Sequence, residues 1–391
     1  MEVKQIYGYV NEAQKEVLGE ESVLQEDLSN LVDIGTAILN ANKYDAYVKA
    51  LVNRIGKTIF VARVYRGRAP KVLMDAWEFG SVLQKVSGDL PDASENESWE
   101  LEHGASYDQD VFYKPTVEAK FYNSKTTFEI DMSFTELQLK QSFTSAQEMN
   151  TFLSMLYNEV DKSLTVKVDA LVMRTINSMI AESVYAQYGA SALSGVGGTK
   201  AVNLLALYKE EVDSSSTLTA STCLYSKDFL RFASAKIMLY SNRLEVMSRL
   251  FNVGAKARFT PKDLQRIVLL DVFVTQSATY LDSDTFHNEL VKLPNADVVA
   301  YWQGSGTDYS FGEVSKIDVK LASDKTKTVE IDGVLGVIFD RDALGVANTD
   351  RRVTTHYNAK AEFYNNFYKH DASFFNDLNE NCIVFFVKDA E

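Results

Sequence analysis

The stretch that decides the fold begins at Ser145 and reads SAQEMNTFLSMLYNEVDKSLTVKVDALVMRTINSMIAESVYAQY, ending at Tyr188. It contains no glycine or proline, and its apolar residues recur at steps of three and four, as they do on one face of an α-helix. These residues are Met149, Phe152, Leu153, Leu156, Val160, Leu164, Val168, Leu171, Val172, Ile176, Met179, Ile180 and Val184. Ser145 with Glu148 fits a capping box, and Gly189 can adopt the left-handed conformation that ends a helix. The sequence therefore predicts one helix from Ser145 to about Gln187.

A helix of that length constrains the shape of the subunit. At 1.5 Å per residue it would be roughly 65 Å long, whereas a sphere of this chain length would be only about 55 Å across. We therefore expect a flat or elongated subunit. Two helices that meet at an unmarked kink near Lys162 or Thr165 are the alternative.

The composition is that of an ordinary soluble protein, and it argues against two classes of function. Of the 391 residues, 46% are hydrophobic and 24% are charged, which is enough to bury a substantial core. The formal net charge is −14, and because nucleic-acid binding needs a basic surface, we expect no tight binding to DNA. No apolar run approaches the eighteen or so residues of a membrane span, so we expect no membrane association.

Residues that could carry catalysis or bind metal lack the spacing that such sites need. Cys223 and Cys382 are far apart in the sequence, which suits a reducing cytosol and does not build a Cys-rich metal site. The four histidines, at positions 103, 287, 356 and 370, have at least 13 residues between any two. Gly195–Lys200 lacks the Gly-Lys-Ser/Thr order of a phosphate loop and is interpreted as a hinge, and Asp340–Asp342 as a turn with a local pair to Arg341. We predict no catalytic, cofactor-binding or metal site.

Before the long helix, the chain has one short helix and an irregular stretch. The short helix begins after Asn42 and ends at Gly56, with apolar positions at Tyr44, Tyr47, Val48, Leu51, Val52 and Ile55. Residues 57–131 then have two strand-like edges, Thr58–Tyr65 and Thr116–Ile130, around a middle rich in Gly, Asp, Glu and Ser.

After the long helix, helical and strand patterns alternate without a regular βαβ series, which predicts an α+β fold. Ser226 is a helix N-cap, and Thr260 followed by Pro261 predicts another helix start. Three apolar runs predict buried strands: Ile267–Val274, Val334–Phe339 and Ile383–Val387.

Charge is segregated within the irregular stretch. Asn53–Lys71 carries six basic residues and no acid, whereas Val86–Tyr113 carries eight acids and no lysine or arginine. Blocks of like charge repel within themselves, so each is expected to face the opposite block on a neighbouring limb or on another copy of the chain. The residues that we predict to make this contact are Arg63, Arg66, Arg68, Lys71, Glu95, Glu97, Glu100 and Glu102. A solvated loop with an accidental charge bias is the alternative.

Several short stretches carry a resemblance to a known family. They are Asp27–Gly35 (DLSNLVDIG), Phe259–Pro261 (FTP), Tyr301–Gly306 (YWQGSG), Phe339–Gly345 (FDRDALG) and Asn376–Asn381 (NDLNEN). With the order of arm, charged hairpin, long helix and mixed domain, the whole chain resembles the major capsid protein of tailed phages, the Hong Kong 97 fold. It is similar to the capsid proteins of phages that infect Gram-positive bacteria.

The resemblance implies a division of the chain. Residues 1–56 would form an N-arm with the short helix, and residues 57–131 an extended E-loop hairpin that reaches over a neighbour. Residues 132–190 would form a P-domain around the long spine helix, completed by C-terminal strands in residues 336–391, and residues 191–335 an A-domain.

The same resemblance implies a structural role without enzymatic activity. Copies of the chain would form hexamers and pentamers of an icosahedral head, assembled in the host cytoplasm, that encloses double-stranded DNA without binding it tightly. A portal and a decoration protein are further partners that it implies. Because only about 40 residues precede the first clear helix, a separate scaffolding protein is expected. The alternatives are an encapsulin-type compartment, which shares the fold and encloses proteins, and an unrecognised α+β enzyme.

Overall fold

The computed structural model describes residues 10–11, 13–16, 32–33, 36, 46–50, 72–74, 83–88, 96, 98, 100–107, 110, 112–114, 116–142, 146–189, 193, 195–282, 296–302 and 316–389. The chain divides into two compact units. The first unit comprises Met1–Glu78, Lys125–Met173 and Val346–Ser373. The second unit comprises Phe79–Ser124, Arg174–Gly345 and Phe374–Glu391.

The helices and strands of the described residues are numbered here in chain order. The strands are β1 (Leu73–Met74), β2 (Leu83–Gly88), β3 (Val117–Tyr122), β4 (Lys125–Thr135), β5 (Ala201–Asn203), β6 (Gln265–Leu270), β7 (Asp297–Val299), β8 (Ile317–Lys320), β9 (Thr328–Ile331), β10 (Val334–Asp340), β11 (Leu344–Asn358), β12 (Phe363–Asn376) and β13 (Cys382–Phe386). The helices are α1 (Glu136–Ser142), α2 (Ala146–Tyr188), α3 (Leu204–Glu211), α4 (Lys227–Arg243) and α5 (Asp271–Asp282).

Helix α2 confirms the prediction of a single long helix. It runs without interruption over 43 residues, so the alternative of two helices that meet at a kink is wrong. At its end Gly189 has φ +64°, and its amide donates to the carbonyl of Tyr185 at 2.7 Å, as expected of a left-handed stop. Ser145, the predicted start of the capping box, lies outside the described residues.

The apolar stripe of α2 forms much of the core of the first unit. Its members in the hydrophobic cluster of this unit are Met149, Phe152, Leu153, Leu156, Val160, Leu164 and Val168. Phe134 of β4 packs edge-on against Phe152, with ring centroids 5.2 Å apart, and Tyr364 of β12 belongs to the same cluster. Residues 46–50 are helical, and Tyr47 and Val48 are buried in this core, as the predicted short helix requires. Its predicted ends, Asn42 and Gly56, lie outside the described residues.

A four-stranded sheet in the order β1-β11-β12-β4 completes the first unit. Strands β12 and β4 pair antiparallel from Phe363 opposite Thr135 to Ser373 opposite Lys125. Along β4, side chains alternate between exposed and at least partly buried, because successive residues of a strand face opposite sides of the sheet. Helix α1 follows with a capping box of its own, since Thr135 and Gln138 each bond the backbone amide of the other.

A five-stranded sheet in the order β5-β13-β10-β6-β7 forms the centre of the second unit. Every residue of β10 and β13 is buried, which confirms the strands predicted at Val334–Phe339 and Ile383–Val387 to within one residue. The predicted N-cap of α4 is confirmed as well, since the Ser226 hydroxyl accepts from the amide of Phe229 at 3.4 Å. The mixture of helices and largely antiparallel and mixed sheets is the predicted α+β class.

Two sequence predictions in this unit are wrong. Thr260–Pro261 begins a turn that leads into β6, and no helix starts there. The Thr260 hydroxyl donates to the buried Asp340 carboxylate at 2.7 Å, so it is used for a tertiary contact and not as a helix cap. The apolar run Ile267–Val274 is not one strand: β6 ends at Leu270 and α5 begins at Asp271. An apolar run by itself does not distinguish a buried strand from a buried helix.

Two small antiparallel pairs, β2–β3 and β8–β9, also belong to the second unit. The strand predicted at Thr116–Ile130 is in fact two strands, β3 and β4, with a break at Asn123 and Ser124. The other predicted edge, Thr58–Tyr65, lies outside the described residues. No helix in the part of the chain that the structure describes is both long and apolar enough to cross a membrane.

Candidate functional site

The β2–β3 pair, called here the ribbon, places two lysines directly opposite each other. Lys85 of β2 pairs with Lys120 of β3 in the antiparallel register. Like charges opposite each other on one face of a strand pair destabilise it. The ribbon therefore needs a nearby anion at this position.

Asp377 supplies that anion. One carboxylate oxygen, Oδ2, lies 2.8 Å from Lys85 Nζ, and the other, Oδ1, lies 3.3 Å from Lys120 Nζ. The Asp377 side chain is only 3% exposed, and Oδ1 also accepts from the amide of Asn379 at 3.1 Å. The turn after β12 fixes its position, since the Asp377 amide donates to the carbonyl of Ala343 at 2.6 Å.

Further ion pairs extend this contact on both sides. Lys85 Nζ also lies 2.8 Å from Glu380, whose carboxylate lies 3.3 Å from Arg258 Nε. On β3, Glu118 lies 3.4 Å from Lys256 Nζ and 3.9 Å from Lys120 Nζ. We call these seven residues the anchor cluster: Lys85, Glu118, Lys120, Lys256, Arg258, Asp377 and Glu380. All seven belong to the second unit.

The electrostatics of the cluster favour its charged forms. Burial raises the pKa of Asp377, but the hydrogen bond and charge of Lys85, with Lys120 beside it, outweigh burial and hold that pKa below its ordinary value of 3.8. Burial likewise lowers the pKa of Lys85, yet its hydrogen bonds to Asp377 and Glu380 raise it above 10.5 overall. Both groups are therefore ionised across the physiological range, and the cluster tethers the ribbon to the turn after β12.

The opposite face of the ribbon is exposed and mostly apolar. Val86, Val117 and Phe121 are all largely accessible to solvent, and they alternate along the strands with the inward Lys85, Glu118 and Lys120. Farther along the same excursion, Leu101, Phe112 and Tyr113 are exposed too. A row of large apolar side chains held outward on a fixed support is typical of a surface that contacts another protein.

The predicted contact residues are only partly described. Glu100 and Glu102 are exposed, and the Glu102 amide donates to the Tyr107 hydroxyl at 3.1 Å. The others, Arg63, Arg66, Arg68, Lys71, Glu95 and Glu97, lie outside the described residues. The pairing of the basic with the acidic block therefore stays a prediction.

Sequence reasoning missed the anchor cluster. The stretch Asn376–Asn381 was noted only for its resemblance to a family, and no charge spacing links it to Lys85 or Lys120. The one available signal was positional: Asp377 and Glu380 are two acids between an aromatic-rich strand and a wholly apolar one. Acids in such a place are close to the core and need cationic partners.

The remaining candidate residues make local structural contacts. Asp340 accepts from the Thr260 hydroxyl and from the amide of Asp342, and Arg341 Nε lies 3.2 Å from Asp342 Oδ1. The predicted turn with a local pair is thus confirmed. No group of three or more His, Cys, Asp or Glu side chains among the described residues is placed to hold a metal ion.

Comparisons with known proteins give one family and a set of solved structures. A family model described as Phi29-like phage major capsid protein matches residues 10–386. A chain from the capsid structure of Staphylococcus phage Andhra is 11% identical, with a TM-score of 0.50 over 83% of this chain and 85% of that one. A chain from the structure of head fiber and inner core protein gp22 of native bacteriophage P68 is 12% identical, with a TM-score of 0.48 over 83% and 85%. No curated protein matches the chain.

Proposed function

The chain belongs to the family of Phi29-like phage major capsid proteins, and from this premise we propose that its copies form hexamers and pentamers of an icosahedral head. The family match over residues 10–386 carries the conclusion that the protein is a structural capsid subunit. Its fold is that of the Hong Kong 97-type capsid proteins, in agreement with the likeness to the Andhra capsid chain. The resemblance noted in the sequence is thereby confirmed.

Within that role, we propose that the ribbon is part of an E-loop that contacts a neighbouring copy. The anchor cluster supports this proposal, because it fixes the ribbon from one face and leaves Val86, Val117 and Phe121 exposed on the other. A two-stranded ribbon alone is marginally stable in water. Tethering it to Asp377 before assembly would reduce the conformational entropy that is lost when the neighbour docks.

The finer division of the chain is part of the same proposal. It assigns residues 1–56 to an N-arm, residues 57–131 to the E-loop, residues 132–190 with 336–391 to the P-domain, and residues 191–335 to the A-domain. The charge segregation supports contact between copies through Arg63, Arg66, Arg68 and Lys71 on one side and Glu95, Glu97, Glu100 and Glu102 on the other.

We further propose that the head encloses double-stranded DNA without binding it tightly. The net charge of −14 supports this, because a strongly acidic shell repels the DNA phosphates and so does not hold the packed DNA back when it is released. A scaffolding protein, a portal and a decoration protein complete the proposed set of partners, with assembly in the host cytoplasm and no enzymatic activity.

Electron microscopy of the purified protein tests this function. Produced together with the other head proteins of its phage, the chain is expected to sediment as megadalton particles that show hexameric and pentameric capsomers and contain DNA. A stable monomer at micromolar concentration under those conditions would overturn the proposal. Particles filled with a cargo protein in place of DNA would favour the encapsulin-type alternative.

A further inference from the structure

The loop between α4 and β6 presents apolar side chains to solvent. Ser248 and Arg258 pair antiparallel across this loop, with backbone hydrogen bonds of 2.9 and 3.0 Å. Met247 and Phe259, the next residue on each side of the pair, are therefore close together, and they are 45% and 51% exposed. We call the exposed apolar side chains of this loop the hairpin edge: Val246, Met247, Leu250 and Phe259.

The inner side of the same loop is fixed by buried hydrogen bonds. Asn252 is fully buried, and its side-chain amide donates to the carbonyl of Lys256 and accepts from the amide of Lys256, both at 2.8 Å. The Gly254 amide donates to the carbonyl of Leu378 at 2.9 Å, which joins the loop to the turn after β12. The hairpin edge is thus an apolar surface on a fixed support, as is typical of a surface that contacts another protein.

The hairpin edge belongs to a basic stretch of an acidic protein. Arg243–Lys262 has five basic residues and one acid. Two of the five belong to the anchor cluster, and the other three, Arg243, Arg249 and Lys262, are exposed. Arg243 lies over the ring of Tyr240, 5.1 Å from the ring centroid, a contact that orients the guanidinium without neutralising its charge. A partner of this edge should therefore be apolar and acidic.

The other end of α4 has that composition. Val212 and Tyr225 are 58% and 61% exposed, and Glu210–Asp228 has four acids and one lysine. Burial raises the pKa of Tyr208, and the charges of Asp228 and Asp213 raise it further, so the two carboxylates act at one place although one follows α3 and the other begins α4. We call these residues the acidic patch: Glu210, Glu211, Val212, Asp213, Tyr225 and Asp228.

The two surfaces are at opposite ends of one helix. Helix α4 has 17 residues and is about 25 Å long. Tyr225 precedes its start and Val246 follows its end, so the hairpin edge and the acidic patch are held apart within one copy. A ring of five or six copies is closed by a contact between two different surfaces of each copy. Opposite charges around apolar side chains would make these two surfaces such a pair.

We propose that the hairpin edge of one copy binds the acidic patch of the next copy in the same ring. This inference rests on the proposed function, because the hexamers and pentamers are the rings that the contact would close. It adds to that function a contact that joins neighbours through the ends of α4, separate from the contact that we assign to the E-loop.

Charge exchange tests the pairing. Arg249→Glu with Lys262→Glu, and separately Glu210→Lys with Glu211→Lys, are each expected to weaken the association of copies about tenfold or more, since each opposes like charges at every contact. Sedimentation measures the yield of particles, and circular dichroism checks that each variant is folded. The four substitutions together should recover most of the yield. Lys125→Glu with Lys360→Glu is the matched control for the basic side, because these exposed lysines belong to the first unit and change the net charge equally.

Cross-linking tests which surfaces meet. Particles of a double variant, Tyr225→Cys with Met247→Cys, treated with a flexible bismaleimide, are expected to give a ladder of covalent oligomers that ends at five or six copies. Each single variant should give no ladder, because only one of the two surfaces then carries the added thiol. The native Cys223 and Cys382 are buried, and wild-type particles treated in the same way show their background.

The outcomes separate this inference from the function on which it rests. If wild-type protein forms no particles, the capsid proposal fails, and this inference fails with it. Normal yield from both charge variants, or particles of the double variant without the ladder, overturns only the contact proposed here. Covalent dimers from Met247→Cys alone would show that the hairpin edge meets its own equivalent on a second copy, and would also overturn it.

Discussion

Replacing Asp377 with asparagine should release the base of the ribbon. The change is nearly isosteric, and the amide oxygen can still accept from the backbone of Asn379, so the turn itself is kept. What is lost is the charge that lies 2.8 Å from Lys85 Nζ and 3.3 Å from Lys120 Nζ. The two lysines then remain opposite each other without the carboxylate between them.

The magnitude follows from how exposed the partners are. Breaking a fully buried ion pair costs about 3–5 kcal/mol, whereas an exposed pair contributes about 0–1 kcal/mol. Asp377 is buried, but Lys85 and Lys120 are 23% and 31% exposed and keep a second carboxylate each. We therefore expect the free energy of local opening of the ribbon to fall by about 2 kcal/mol.

Hydrogen–deuterium exchange measures that opening directly. A loss of about 2 kcal/mol corresponds to roughly 30-fold faster exchange of the amides of β2 and β3. Asp332→Asn is the matched control: its carboxylate lies 3.1 Å from Lys388 Nζ, but its side chain is 60% exposed, so exchange in the ribbon should not change. Unaltered exchange in β2 and β3 of the Asp377 variant would refute the anchoring role of the cluster.

The dependence on pH has a definite sign. Because the pKa of Asp377 is held below 3.8 in the folded protein, its contribution to stability is fully present well above 3.8 and is lost as the pH falls through the lower folded value. Exchange of the ribbon amides, corrected for the intrinsic effect of pH, should therefore be constant between about pH 5 and 8 and rise only in stronger acid.

Three further predictions concern the helix, the charged blocks and DNA. Val168→Pro, at a buried position of α2, removes a backbone hydrogen bond and should lower the stability of the folded subunit by about 3 kcal/mol or more. The expected result is insoluble protein or failed assembly. Normal particles would contradict the role of α2 as one uninterrupted core helix. Reversing the basic block with Arg63→Glu, Arg66→Glu and Arg68→Glu should abolish particle formation, measured by sedimentation, while circular dichroism shows that the subunit stays folded. Adding the reversal of the acidic block, Glu95→Arg, Glu97→Arg and Glu100→Arg, should partly restore the particles. A normal particle yield from both single-block variants would show that the two blocks do not pair. Binding of the isolated protein to duplex DNA at about 0.15 M salt, where charges are screened beyond about 8 Å, should be negligible by fluorescence anisotropy, and a submicromolar Kd would contradict the expectation of weak contact with DNA.

The sequence was informative wherever one local pattern determines the structure. The long helix could be predicted because its apolar positions repeat over many turns and no glycine or proline interrupts them, so a single periodicity applies throughout. Strands β10 and β13 could be predicted because each is a short apolar run bounded by polar residues. The prediction of one strand at Ile267–Val274 failed because the apolar residues of β6 are followed directly by those of the first turn of α5. Asp271 is the single polar residue at this boundary, and one polar residue does not mark a break in an apolar run.

The anchor cluster could not be predicted because its pairs are remote in sequence. Lys120 and Asp377 are 257 residues apart, and only the folded register of β2 with β3 brings Lys85 to the same carboxylate. In the sequence Lys120 is an ordinary residue of a predicted strand and Lys85 lies in the irregular middle of residues 57–131, and the segregated blocks nearby are far more conspicuous. Charge counting therefore identified a charged hairpin, but not the residues that fix its base.

The two faces of the ribbon have different requirements, and this explains why its ionic groups are on the inner one. The apolar face with Val86, Val117 and Phe121 has to be exposed to solvent until a partner covers it. The ribbon must therefore be held in place by contacts that do not depend on that partner. Apolar anchoring alone would leave both faces apolar and the ribbon free to turn either one inward. Ionised lysines on one face distinguish the two, because only that face finds the carboxylates of Asp377 and Glu380. The partly buried pairs are also screened less by salt than exposed charges are, so the support can persist under conditions that weaken exposed contacts between copies.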